Sequence, residues 1–109
     1  MPYIPDRGDV VWINFDPSSG REIRKRRPGL VLSNKLYSRF TKYALVAPIT
    51  STIRGWPFEV KIDGGDVSGV ALCEQIKSLD YISRELEFIE KADPDAVEEA
   101  IAKIVAIFD

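Results

Sequence analysis

At 109 residues, 45% hydrophobic and 29% charged, the chain has the size and composition of one globular domain, residues 1–109, whose core is small enough that pairing with a second copy would help bury apolar surface. Zero histidines and a single cysteine, Cys73, remove the usual side chain for proton transfer, argue against a zinc site of His/Cys type and exclude an internal disulfide, which fits a reducing cytosol. The formal net charge of −2 hides nine Lys or Arg against four Asp or Glu in residues 1–42, and six against thirteen in residues 43–109; that split argues for a local polyanion site and against general coating of nucleic acid, which goes with a basic pI rather than 5.2.

In chain order, Tyr3 to Arg7 holds one of the first prolines and reads as an extended arm. The start, MPYIPDRGD, has no basic segment followed by an apolar one, so neither an export signal nor a membrane anchor is expected, and a cytoplasmic location is. Val10 to Phe15 predicts a first strand, with Trp12 marking one face. Asp16-Pro17-Ser18-Ser19-Gly20 opens a turn and a loop that runs to about Arg27. Five of the seven residues from Arg21 to Arg27 are basic and one, Glu22, is acidic. Pro28 and Gly29 end the charge, and a second strand is expected from Gly29 to Ser33. Asn34 to Lys42 reads as a helical turn or a hairpin loop. Tyr43 to Ile49 is a third strand, whose Pro48 suggests a sheet edge.

Thr50-Ser51-Thr52 follows that strand, then an Arg54-Gly55 turn, then Trp56-Pro57 leading to a fourth strand, Phe58 to Ile62. There Phe58, Val60 and Ile62 alternate with Glu59, Lys61 and Asp63, predicting one wet face. Asp63-Gly64-Gly65-Asp66 is a turn. Gly69 to Ile76 is a further strand carrying Glu74 and Gln75, and another falls between Leu86 and Ile89. The last stretch is helical: Asp93 suits the cap, Pro94 the first turn, and Val97, Ile101, Ile104, Val105 and Phe108 recur on one face. Short strands at about ten-residue spacing with one closing helix predict a mainly β fold with a C-terminal α-helix, a small bent barrel or sandwich.

Several residues invite a functional reading beside a structural one. The run at Arg24, Lys25 and Arg26 is either a solvated surface or an anion-steering loop, while Arg27, next to Pro28 at the strand mouth, is fixed by scaffold as a preorganised guanidinium needs. Glu22 among cations stays ionised and offers an acceptor for a hydroxyl proton. Thr50 and Ser51 are turn formers or donors to phosphate oxygens. Glu74 and Gln75 face water or line a groove where they meet base edges. Trp56 packs in a core or interface, or stacks on a base. No GxGxxG or GxxxxGK[ST] motif is present and the Asp63–Asp66 turn lacks the ligands of a calcium loop, so no cofactor or metal is expected.

Gly8-Asp9-Val10-Val11-Trp12, Phe15-Asp16-Pro17, Gly20-Arg21-Glu22 through Lys25-Arg26-Arg27-Pro28-Gly29-Leu30-Val31-Leu32-Ser33, Pro48-Ile49-Thr50-Ser51, Gly55-Trp56-Pro57-Phe58-Glu59-Val60 and Gly69-Val70-Ala71-Leu72 to Glu74-Gln75-Ile76-Lys77-Ser78-Leu79-Asp80 resemble, in order, the motifs of MazF/PemK-type toxins of toxin–antitoxin modules. The resemblance covers about Ile4 to Asp80. It implies an SH3-like β-barrel of the MazF/PemK/CcdB type, a homodimer, and a metal-independent, sequence-selective endoribonuclease that cuts single-stranded mRNA by attack of the ribose 2′-hydroxyl. It further implies an antitoxin whose acidic C-terminal tail covers the RNA groove, with operator DNA contacted only through that antitoxin. Arg27 and Thr50 fall on the catalytic pair, Glu22 on a proposed acid/base and Ser51 on a hydroxyl at the phosphate. Some members use an Arg two positions before an acidic residue at the place of Glu74; here that earlier position is Leu72, so that version of the mechanism does not carry over. Two rival readings are a non-enzymatic barrel toxin acting on a topoisomerase and an RNA-binding module without cleavage.

Overall fold

Short β-branched and aromatic runs separated by turn formers make a chain that is mostly strand. A computed structural model describes residues 3–15, 26–63 and 65–109. Among them are seven strands and two α-helices: β1 (Asp9–Asn14), β2 (Arg26–Val31), α1 (Lys35–Thr41), β3 (Tyr43–Thr50), β4 (Glu59–Ile62), β5 (Gly69–Leu72), β6 (Lys77–Asp80), β7 (Glu87–Lys91) and α2 (Pro94–Phe108). The sheet is antiparallel throughout, in the order β4-β5-β3-β2-β1-β7, with β6 also paired to β3.

β3 is the spine. One of its edges carries β2; the other carries β6 against Tyr43–Val46 and β5 against Ile49 and Thr50. Between β5 and β6 the chain makes a single 3₁₀ turn, Cys73–Gln75. The strand expected from Gly69 to Ile76 is therefore interrupted where Glu74 and Gln75 stand. Pro48 does not mark an edge as expected; it is buried in a central strand. Leu45 exchanges hydrogen bonds with Leu32 and Ser33 on the β2 side, so alternation turns Pro48 the other way, toward the gap left by the 3₁₀ turn. A residue without an N–H fits a central strand where the ladder is already broken.

Both faces of the curled sheet are buried. On one, Val10, Leu30, Ala47, Ile49, Val60 and Ala71 pack under Val97 and Ala100 of α2. On the other, Val11, Ile13, Phe15, Val31, Val46 and Leu79 pack together with Tyr81. Gly29 lies on this second face, where an added Cβ would sit 2.5 Å from Val46 Cγ1 and 2.9 Å from Phe15 Cζ. α2 begins as expected, with Asp93 accepting from the Asp95 N–H at 3.0 Å. Its apolar stripe is used only in part: Val97 is buried and Ile101 and Ile104 are partly buried, but Val105 is 52% and Phe108 83% exposed. Asn34 to Lys42, left between two readings by its sequence, is helical, with the Asn34 carboxamide accepting from the Tyr37 N–H at 2.8 Å. The N-terminal arm is fastened by buried Asp9, which accepts from the Tyr3 hydroxyl and the Asp6 N–H and lies 2.6 Å from the Lys91 ammonium. None of the described helices is long and apolar enough to cross a membrane.

Candidate active site

β2 starts at Arg26, three residues earlier than the sequence suggests, and this places two arginines inside a strand. Successive strand residues point to opposite faces, so the pair is split. Arg26 stands opposite Asn14, and its guanidinium bonds the Glu85 carbonyl and, at 2.8 Å, the Glu87 carboxylate of β7. Arg27 stands opposite Ile13, on the second apolar face. No described residue is hydrogen-bonded to the Arg27 guanidinium. The β2–β3 register runs Val31↔Val46, Leu30↔Ala47, Gly29↔Pro48. Continued by two residues, it sets Arg27 opposite Thr50, and the alternation of β3 gives Thr50 the same face as Val46. Directly opposed residues on one face are within side-chain reach of each other.

Thr50 is held on its other side as well. It pairs with Val70, and Gly69 passes so close that a Cβ there would lie 2.3 Å from the Thr50 carbonyl oxygen; the Gly69 φ of +144° disfavours other residues in any case. The Thr50 hydroxyl accepts a hydrogen bond from the Thr52 N–H at 3.2 Å, which leaves its own proton available to donate. Ser51 follows, exposed, at the start of an irregular segment that reaches β4.

That segment, residues 51–57, is organised by Glu59. Alternation predicts a wet Glu59, but it is 8% exposed, and its carboxylate accepts from the N–H groups of Arg54 and Gly55. The two aromatic residues nearby part company: Phe58 packs against the core under α2, whereas Trp56 is 52% exposed with the Arg54 guanidinium 5.1 Å from its ring centroid.

The remaining candidates divide. Glu74 and Gln75 do not alternate along a strand; on the 3₁₀ turn Gln75 is exposed, while both Glu74 carboxylate oxygens are buried without a hydrogen-bond partner. Leu72, the position at which the resemblance would call for an Arg, is buried. Cys73 is enclosed in the core; burial, with the nearby Glu74 and Glu99, pushes its thiol up to about 11 against a smaller opposing pull from Lys103, so it is not a nucleophile at neutral pH. Glu22, Arg24 and Lys25 lie outside the described residues. The sequence shows Arg54-Gly55 as a turn but not that Glu59, four residues after Gly55, caps it, nor that Gly69 packs against the Thr50 carbonyl; a turn shortly before a carboxylate and a glycine at a strand start are the signals for both.

A curled antiparallel sheet closed on one face by a C-terminal helix, with Arg27 of β2 and Thr50 of β3 belonging to its other face, defines a small β-barrel protein. The family model of the PemK-like, MazF-like toxins of type II toxin–antitoxin systems matches residues 6–108. Among curated proteins, the chain is 43% identical over 82 residues to the endoribonuclease toxin MazF of Escherichia coli K12, covering 75% of this chain and 74% of that one. It is 36% identical over 110 residues to the endoribonuclease toxin ChpB of the same organism, covering 95% and 94%. Among solved structures, a chain of the MazE–MazF crystal structure (Form-II) from Deinococcus radiodurans superposes with a TM-score of 0.91 at 40% identity, covering 98% and 97%. The chain belongs to the PemK-like, MazF-like toxin family.

Proposed function

We propose that the chain is the endoribonuclease toxin of a type II toxin–antitoxin module, cleaving single-stranded mRNA sequence-selectively and without a metal, and so inhibiting translation and growth. What supports this is a chain 43% identical to a protein named as an endoribonuclease toxin, together with a β2–β3 register, Gly29↔Pro48 at its end, whose continuation by two residues would bring Arg27 across from Thr50.

The chemistry follows from the residue types. The ribose 2′-hydroxyl attacks the adjacent phosphorus in line; the P–O5′ bond breaks and the leaving 5′-oxygen takes a proton from water, giving a 2′,3′-cyclic phosphate and a 5′-hydroxyl. RNA supplies its own nucleophile, so the protein's task is to position the phosphate and stabilise charge. Arg27 and Thr50, with Ser51, donate to the non-bridging oxygens as charge builds. An arginine keeps its proton throughout and so serves electrostatically and not as a general acid. Glu22 accepts the 2′-hydroxyl proton. Arg24 and Lys25 steer the strand into place, Trp56 stacks on a base, and exposed Gln75 meets a base edge, whereas Glu74, with both carboxylate oxygens buried, does not. Arg26, tied to Glu87, contributes through the positive potential of the strand mouth.

In the same reading the toxin is a cytoplasmic homodimer. The apolar end of α2, with Val105, Ile107 and Phe108 exposed, is the surface that a second copy covers. The partner that neutralises it is an antitoxin whose acidic tail lies on the basic 21–27 run, and operator DNA is contacted only through that antitoxin.

The decisive assay incubates the purified protein in EDTA with a single-stranded RNA, its DNA copy, and the RNA carrying one 2′-deoxy residue at the cut site. The expected result is cleavage of the RNA alone, with cyclic phosphate ends. Intact RNA would remove the enzymatic reading in favour of an RNA-binding module or a toxin of another target; cleavage of the 2′-deoxy substrate would remove the mechanism.

A further inference from the structure

A carboxylate withdrawn from water is unfavourable unless both oxygens find donors. Glu59 finds them in one place: Oε1 accepts from the Gly55 N–H at 3.0 Å and shares the Arg54 N–H, which lies 3.2 Å from Oε2. The Glu59 N–H in turn donates to the Trp56 carbonyl at 3.1 Å, closing the same turn. The Lys103 ammonium donates to the Glu59 carbonyl at 3.0 Å, tying the strand start to α2. Gly55 has φ +77° with nothing within 4 Å of a would-be Cβ, so the backbone conformation, not space, demands glycine there. What this turn holds up is the Arg54–Trp56 pair, cation over ring and open to solvent. The opposite end of the same segment supplies the Thr52 N–H to the Thr50 hydroxyl.

We infer that Glu59 is a positioning residue that builds residues 50–56 into a platform for one unpaired nucleobase of the RNA, taken by the exposed Arg54–Trp56 pair beside the Thr50 hydroxyl. The inference rests on the reading of the chain as an RNA-cleaving enzyme. An unstacked base needs a flat face, which the half-exposed Trp56 ring and the guanidinium lying over it both offer, the guanidinium adding attraction for the base π-system and the phosphate that follows it. Buried capping of the turn means the platform exists before RNA arrives, so little ordering is left to the binding step.

The test uses the full chain carrying Trp12→Phe, which leaves Trp56 as the fluorophore, and an RNA made uncleavable by a 2′-deoxy residue at the cut site. RNA binding changes Trp56 fluorescence and reports Kd; cleavage of the all-ribose RNA reports kcat and KM. Trp56→Ala raises KM about tenfold, the loss of one stacked base, and leaves kcat unchanged. Glu59→Ala raises Kd by a similar factor and also lowers kcat, because Thr50 loses its oriented hydroxyl. Glu59→Gln, which keeps an acceptor for the Gly55 N–H, restores both to within about threefold. Trp56→Ala combined with Glu59→Ala binds no more weakly than the weaker single variant, since one residue acts through the other; Kd of the Trp56→Ala variants is read by filter binding. If Glu59→Ala does not fold, Gly55→Ala, strained by its φ without a clash, gives the same direction of change in a folded protein. Wild-type Kd and kcat in a folded Glu59→Ala or Gly55→Ala variant overturns the inference, as do multiplicative effects in the double variant. So does RNA binding that leaves Trp56 fluorescence unchanged while an antitoxin-type acidic peptide alters it. Failure of the unmutated protein to cut RNA instead overturns the reading beneath, and is seen without any variant at this turn.

Discussion

The two faces of the sheet are built from the same strands and put to different use. The face under α2 is apolar from Val10 to Ala71 and ends against Val97 and Ala100. The opposite face is equally apolar through Val11, Ile13 and Val46, then changes character within one residue spacing, where β2 presents Arg27 and β3 presents Thr50. Arg26 and Arg27 make the contrast sharpest: adjacent in sequence, one is held by Glu87 and the other stands free of every described partner at the head of the second face. The strand's period of two lets one segment serve stability and chemistry at once, so substitutions on the two faces should separate activity from folding.

The largest effect is expected at Arg27. Arg27→Ala should lower kcat for RNA cleavage by about 10² to 10³, the usual loss for one preorganised donor, while the melting temperature stays within a few degrees. A collapse in stability instead would mean the second face does not end where the contrast says it does. Thr50→Val should cost about 10² in kcat, with Thr50→Ser, which retains the hydroxyl, recovering most of it. Val97→Ala on the helix-covered face should do the reverse: about 2 kcal/mol of stability lost in denaturant titration, with kcat/KM unchanged well below the melting temperature. The smallest effect is at Cys73. Its thiol sits at about 11 in the fold against an ordinary 9.0, because burial disfavours the thiolate. The neutral thiol therefore contributes its full stability below pH 9, and that contribution is lost as pH rises from 9 toward 11. The wild type should lose more of its melting temperature than Cys73→Ala across that window, read by thermal melts at each pH.

Much of this was legible in the chain itself. The strands of Val10–Phe15, Tyr43–Ile49 and Phe58–Ile62 and the Asp93-Pro94 helix start follow from local chemistry, since β-branched runs and capping residues act over a few positions. What sequence could not supply is pairing. Arg27 and Thr50 are 23 positions apart and are brought toward each other only by the β2–β3 register continued two residues past Gly29↔Pro48; in the sequence only the resemblance to toxin motifs joins them. The misread positions share that cause. Pro48 suggests an edge because it lacks an N–H, but the ladder it faces already breaks at Cys73–Gln75, so no N–H is needed there. The strand period assigns Glu59 to water, whereas two backbone N–H groups of the preceding turn enclose it. Glu74 was placed on a strand that turns before reaching it. The apolar stripe of α2 was read whole, whereas its last turn, with Phe108, leaves the sheet behind.

The central claim is that Arg27 and Thr50, opposed across two strands, act together on one phosphate. A double-mutant cycle on single-turnover cleavage tests it most directly, comparing wild type, Arg27→Ala, Thr50→Val and the double variant under saturating RNA. Groups that act as a unit are strongly non-additive, so the double variant is expected to be no more than a few-fold slower than Arg27→Ala alone. A double variant slowed by the full product of the two single losses would contradict the account.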